Sequence, residues 1–133
     1  MFQYKTQIFL HHTDAAGRLF FGNQFYLIHE AFETFLEHIG FSIADMMNDP
    51  EFTFPLVHAE SDYKSILIAG DRITISVAVE KIGDSSVTIC YEIRKADGTL
   101  AGTAKTVSVM VRLATGLKAH IPDEWRKKFK ITN

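Results

Sequence analysis

The stretch His12-Thr13-Asp14-Ala15-Ala16-Gly17-Arg18-Leu19-Phe20-Phe21-Gly22-Asn23 joins an extended segment to the one long helical pattern in the chain. Before it, residues 2–10 alternate partially and read as a strand. After it, Phe25, Ile28, Phe32, Phe35, Leu36 and Ile39 recur at helical spacing until Gly40, a C-terminal stop. The spacing predicts one helix of about four to five turns. Asn23 is its candidate cap, and Glu30 and Glu33 lie on its wetter side. Gly17 and Gly22 punctuate the turn between strand and helix.

Outward from the helix the pattern changes period. Ser42–Asn48 reads as a short helix capped by Ser42 and ended by Asp49-Pro50. Pro55–Tyr63 reads as a strand. Arg72–Glu80 alternates with Ile73, Ile75, Val77 and Val79 on one face. Ser86–Arg94 does the same through Val87, Ile89, Tyr91 and Ile93. Gly83-Asp84 turns the chain between these two. Ala96-Asp97-Gly98 marks a hairpin into a long last strand, Leu100–Leu113. Pro122 is placed to start a short terminal helix, followed by a basic run, Arg126-Lys127-Lys128, that reads as a solvated tail. An antiparallel sheet of about five strands with one long helix on its face follows, an α+β class fold over residues 1–133 as a single domain. One helix covers only one face, and edge strands invite pairing, so at least a dimer is expected.

With 47% hydrophobic and 23% charged residues, the composition is that of an ordinary globular domain. A net charge of −2 argues against a nucleic-acid partner. No apolar run reaches membrane-spanning length and no signal-peptide pattern opens the chain, so a cytoplasmic location without membrane association is expected. The single cysteine, Cys90, excludes an intrachain disulfide, fits a reducing compartment and is expected to be buried and inert. Several of the 11 phenylalanines fall between positions 20 and 54, where core packing competes with a partly apolar pocket for an acyl or aryl group.

The chemistry concentrates at Asp14. A carboxylate beside the unpaired N–H donors of a helix start suits acyl transfer, because those donors can hold a carbonyl oxygen. An aspartate carboxylate is ionised at neutral pH, so it can attack an acyl carbon or deprotonate a water that does. The alternative for Asp14 is a turn or capping residue; Gly17 either lets the turn bring amides close to a substrate or, equally, is an ordinary turn glycine. His29 on the helix and His58 on a strand are candidate pocket residues, with structural histidines as the alternative. His58 and Glu60 share one strand face. No HExxH or Cys/His metal spacing and no G-x-S-x-G elbow is present, so neither metal nor cofactor is expected.

Three blocks carry a resemblance: Thr13-Asp14-Ala15-Ala16-Gly17 with Phe20-Phe21, then Asn23-Gln24-Phe25 with His29-Glu30-Ala31-Phe32-Glu33, then Pro55-Leu56-Val57-His58-Ala59 leading to Asp62 and Gly70-Asp71-Arg72. In this order and spacing the chain resembles the hotdog-fold thioesterases of the 4-hydroxybenzoyl-coenzyme A type. Within that group it is most similar to the 1,4-dihydroxy-2-naphthoyl-coenzyme A thioesterases. The resemblance spans nearly the whole chain. It implies a curved antiparallel sheet wrapped around the long helix, and active sites at a subunit interface in homodimers or homotetramers. It also implies a coenzyme A thioester substrate, with Asp14 as the catalytic carboxylate and the thioester oxygen near backbone amides around Phe21. Two positions depart from the family pattern. His12 stands where a second acidic residue is usual, which alters local charge, and Ile66 stands where proline is favoured. Lys64, Arg72, Arg94 and Arg112 are candidates for the coenzyme A phosphates. Two other readings keep the same pocket: a hydratase or dehydratase using His58 with Glu60 or Asp14, and a non-catalytic module that binds acyl thioesters.

Overall fold

The computed structural model describes residues 1–131; residues 132 and 133, the end of the expected domain, lie outside the described residues. Its elements are β1 (Phe2–Gln7), α1 (Asn23–His38), α2 (Ile43–Met47), β2 (Phe52–Thr53), β3 (Leu56–Tyr63), β4 (Arg72–Ile82), β5 (Ser86–Lys95), β6 (Leu100–Val109), β7 (Val111–Arg112) and α3 (Asp123–Phe129). Five strands form one antiparallel sheet in the order β1-β4-β5-β6-β3, while β2 and β7 make a separate two-stranded ribbon.

The period-2 segments form strands because one face of each is apolar and has a helix to bury it against. Ile73, Ile75 and Val77 of β4 share a core with Val87, Ile89, Tyr91 and Ile93 of β5. The α1 stripe Leu27, Ile28, Ala31, Phe32, Phe35 and Leu36 fills the same core. Each large side chain withdrawn from water there contributes roughly 1.5–3 kcal/mol. Helix α1 ends at Gly40, whose φ of 103° belongs to the left-handed region that closes helices. Ser42 caps α2 as expected, its hydroxyl accepting from the Asp45 amide at 3.2 Å.

Four local expectations are corrected. The first strand stops at Gln7 rather than residue 10, because Phe9 donates its amide to His12 Nδ1 and the chain winds into a single 3₁₀ turn over Leu10–His12. Asn23 is not the helix cap. It is the first helical residue, after Gly22, and its side-chain amide donates to the His12 carbonyl at 2.8 Å. The long final strand breaks at Met110, whose amide bonds Ser85 and whose carbonyl bonds Ala119, which sends Val111 across to pair with Thr53. The basic run is no solvated tail. It belongs to α3, where Arg126 donates to the Gly83, Asp84 and Ile121 carbonyls and Phe129 is buried.

Cys90 is half-buried on the outer sheet face rather than in the core, opposite Ala78 and Lys105. Burial, with Glu80 nearby, pushes its thiol up, which favours the protonated form. The phenylalanines divide by position. Phe32, Phe35 and Phe41 are core, and Phe41 and Phe54 meet Trp125 edge-to-face, whereas Phe20 and Phe21 are exposed beside the start of α1. Among the described residues no helix is long and apolar enough to cross a membrane.

Candidate active site

Asp14 opens a tight loop. Its amide donates to the Arg18 carbonyl at 2.8 Å, the Gly17 amide returns to the Asp14 carbonyl at 3.0 Å, and Thr13 bridges Leu19. This is a three-residue hairpin loop whose last residue must be left-handed, and Gly17 supplies φ 77°. A Cβ there would meet nothing within 4 Å, so conformation rather than space calls for glycine. Asp14 is a turn residue in this loop. Its Oδ1 accepts from the Ala16 amide at 2.9 Å and the Arg18 amide at 3.3 Å, which fixes the carboxylate. Its Oδ2 has no hydrogen-bond partner among the described residues.

The start of α1 is moored to that loop and to the sheet. The Phe20 amide donates to the His12 carbonyl at 3.0 Å, and Asn23 reinforces the same carbonyl. Gln24, 1% exposed, donates from Nε2 to Ser61 Oγ at 2.7 Å and to the Asp62 carbonyl at 3.2 Å. The Ser61 hydroxyl donates in turn to the Thr103 carbonyl at 2.9 Å. Tyr63, the last residue of β3, donates its hydroxyl to the Phe21 carbonyl at 2.6 Å. Between these moorings the amides of Phe21 and Gly22 have no acceptor among the described residues. They are the unpaired donors that a helix start offers.

Asp14, Gln24 and Tyr63 line one cleft of about 350 Å³, with Arg18 and Lys64 bringing positive charge and Ile66 an apolar wall. Behind the loop sits His12, buried, its Nδ1 accepting from Phe9. Burial, with His11 beside it, pushes its pKa down against a weaker pull from Glu30, so the position that departs from the family pattern carries a neutral side chain.

The candidate histidines do not join Asp14 in that cleft. His29 lies on α1 beside a separate apolar cleft of about 360 Å³, with Phe25, Tyr26, Leu56, Ala59 and Tyr91. Strand alternation puts Ala59, Ser61 and Tyr63 toward α1 and turns His58 to the other face, where its Nε2 lies 3.8 Å from Glu60 Oε2. Among the described residues no three His, Cys, Asp or Glu side chains converge as a metal site. Tyr63, Gln24 and Ser61 are the members of the site that motif reading passed over. A glutamine on the apolar side of a helix start was the available signal for Gln24.

Residues 9–129 match the model of the thioesterase-like superfamily. A 1,4-dihydroxy-2-naphthoyl-CoA hydrolase from Nostoc punctiforme is 34% identical over 123 residues, covering 92% of this chain and 82% of the relative. Its namesake from Synechocystis is 30% identical, covering 94% and 91%. The crystal structure of a 1,4-dihydroxy-2-naphthoyl-CoA thioesterase from Synechocystis superposes with a TM-score of 0.91 at 29% identity, over 96% of this chain and 94% of the other. A gentisyl-coenzyme A thioesterase superposes with a TM-score of 0.84 at 25% identity, over 96% and 98%.

Proposed function

The chain belongs to the thioesterase-like superfamily, and on that premise we propose that it hydrolyses an aryl- or acyl-coenzyme A thioester to the free acid and coenzyme A. The observation that carries the reading is a carboxylate with one oxygen tied to two amides and the other open, in a cleft that shares Tyr63 with the Phe21 peptide.

Asp14 Oδ2 takes a proton from water as that water adds to the acyl carbon, or adds to the carbon itself. In the latter case a second step follows: water cleaves the resulting aspartyl anhydride, releasing the free acid and restoring the carboxylate. The thioester oxygen becomes an oxyanion held by the Phe21 and Gly22 amides, the C–S bond breaks, and coenzyme A leaves as thiolate. Thiolate is a good leaving group, so no strong general acid is needed, and the oxyanion donors carry the larger share, roughly 3 kcal/mol each. Arg18 and Lys64, at the same cleft, are the cations best positioned for the phosphates of coenzyme A.

For the acyl group we take 1,4-dihydroxy-2-naphthoyl, on which the named relatives act. A flat aryl group suits the apolar wall that Leu19, Ile66 and Leu67 give the Asp14 cleft. Such a pocket separates substrates differing by a methylene by only about 1–3 kcal/mol, so related aryl thioesters should also be turned over. A homodimer is the smallest assembly the exposed surface supports. Strand β3 leaves one edge unpaired, and Tyr26 (71% exposed), Leu56 and Val57 beside it are open to solvent. Light scattering at micromolar concentration should give twice the chain mass or more, and a monomer would end that part of the proposal. The lone Cys90, without a disulfide partner, supports a reducing, cytoplasmic setting.

The direct test is thiol release, followed with a thiol-reactive dye, across a panel of aryl- and alkyl-coenzyme A esters. Release fastest with aryl esters is expected. Hydration of an enoyl-coenzyme A without thiol release would replace the reading with a hydratase, and tight binding without turnover would replace it with a binding module.

A further inference from the structure

We infer that Tyr63 is a positioning residue for thioester hydrolysis, its hydroxyl holding the Phe21–Gly22 peptide so that the adjoining amides meet the thioester oxygen. The inference rests on the hydrolytic reading above and adds a residue that makes no bond to the reacting atoms itself.

Rigid donors stabilise an oxyanion only if they point at its position before it forms. The two unengaged amides, Phe21 and Gly22, sit at the most exposed part of the helix entrance, with Phe21 itself 67% exposed. The first helical turn gives them little support. The Gln24 amide reaches the Phe21 carbonyl only at 3.4 Å and the Phe25 amide reaches Gly22 at 3.3 Å, both long for a hydrogen bond. Among the described residues the single short bond to the Phe21 carbonyl is the 2.6 Å one from Tyr63.

That carbonyl and the Gly22 N–H are the two ends of one planar peptide, so fixing one end fixes the direction of the other. The Phe20 amide, bonded to His12 at 3.0 Å, fixes the chain on the other side. Phe21 is therefore clamped between the Asp14 loop and the end of β3, and its own N–H is set by the same two clamps. A donor at the carbonyl also polarises the peptide, which strengthens the Gly22 N–H as a donor in turn. Burial pushes the Tyr63 hydroxyl up, so it stays a protonated donor across the working range of pH. Its 2.6 Å bond and its place on the wall of the Asp14 cleft put sheet, carboxylate and oxyanion donors in one fixed frame.

The test is Tyr63→Phe, which keeps the ring and removes one oxygen from a residue that is 49% exposed. Deleting a direct oxyanion donor typically lowers kcat by 10²–10³, and loosening one should lower it roughly tenfold with KM within about twofold. The readout that a purely structural role would not move is the infrared carbonyl band of bound phenacyl-coenzyme A, whose ketone oxygen stands in for the thioester oxygen. Wild-type protein should shift that band to lower frequency than in water, and Tyr63→Phe should recover part of the difference. An unchanged kcat and an unchanged band in Tyr63→Phe, with the parent enzyme active, would overturn the role of Tyr63 alone. Failure of the parent to release thiol would overturn the hydrolytic reading instead.

Discussion

Gly102→Ala is expected to damage the helix entrance from the sheet face that packs against α1. Gly102 lies on β6 opposite Tyr63 and has no unusual backbone angle, so its requirement is space alone. A Cβ at this position would stand 2.7 Å from Gln24 Nε2, 3.1 Å from its Cδ and 3.0 Å from the Asp62 carbonyl. The Gln24 amide cannot step aside, because it is buried and bonded to Ser61. Overpacking of this kind costs about 1–3 kcal/mol, and the displaced hydrogen bond adds about 1 kcal/mol, for a total of roughly 2–4 kcal/mol. Urea unfolding at fixed protein concentration should show the loss as a lower midpoint with unchanged slope. The reasoning is sharpened by a cycle with Gln24→Ala, which removes the group that clashes. The double variant should be more stable than the sum of the single losses implies, by about 1–2 kcal/mol. Because Gln24 moors the first turn of α1, kcat should fall in both single variants. Additive stability losses in the double variant would refute the claim that glycine is needed here for Gln24.

Two further outcomes are expected. Burial lowers the pKa of His12 below its unfolded value near ~6.5, so below that pH the unfolded chain binds the extra proton and the folded chain resists it. Stability should therefore fall as pH drops from about 7 toward 5. In His12→Asn, whose side-chain oxygen can still accept from Phe9, that part of the slope should vanish in urea titrations run at each pH. Arg126→Ala removes three carbonyl contacts, of which the two to Gly83 and Asp84 tie α3 to the β4–β5 turn. It should cost about 1–3 kcal/mol by the same assay while leaving kcat near wild type, and a neutral result would return that residue to the solvent.

What the sequence disclosed follows from the range of the forces involved. The α1 stripe and the alternation of β4 and β5 are local patterns, so most of their buried positions were readable, although the α1 spacing missed Leu27 and Ala31 and included the partly buried Phe25. The Asp14–Gly17 spacing was readable too, because both residues are what a three-residue hairpin loop demands. The strand order was not readable, since pairing β3 with β6 rather than with its neighbour β4 is a non-local choice. The break at Met110 was hidden for the same reason. Its apolar side chain continues the strand pattern, while its backbone partners, Ser85 and Ala119, come from other turns. Asn23 looked like a cap because capping is the local use of asparagine, yet a carbonyl eleven residues back claimed its side chain. The site shows the same division. Asp14 and Gly17 stand out in the sequence as candidates and Phe21 enters through the resemblance, whereas Gln24, Ser61 and Tyr63 make contacts spanning 37 to 42 residues that no short motif displays.

The most direct measurement is the rate of thiol release by Asp14→Asn on an aryl-coenzyme A ester, taken beside its thermal unfolding. Asparagine keeps a side-chain oxygen for the Ala16 and Arg18 amides, so the loop should hold and the unfolding temperature should stay close to that of the parent. Turnover should fall by roughly 10²–10⁴, the usual worth of a positioned base. A folded Asp14→Asn protein that still works within a few-fold of wild type would contradict the account at its centre.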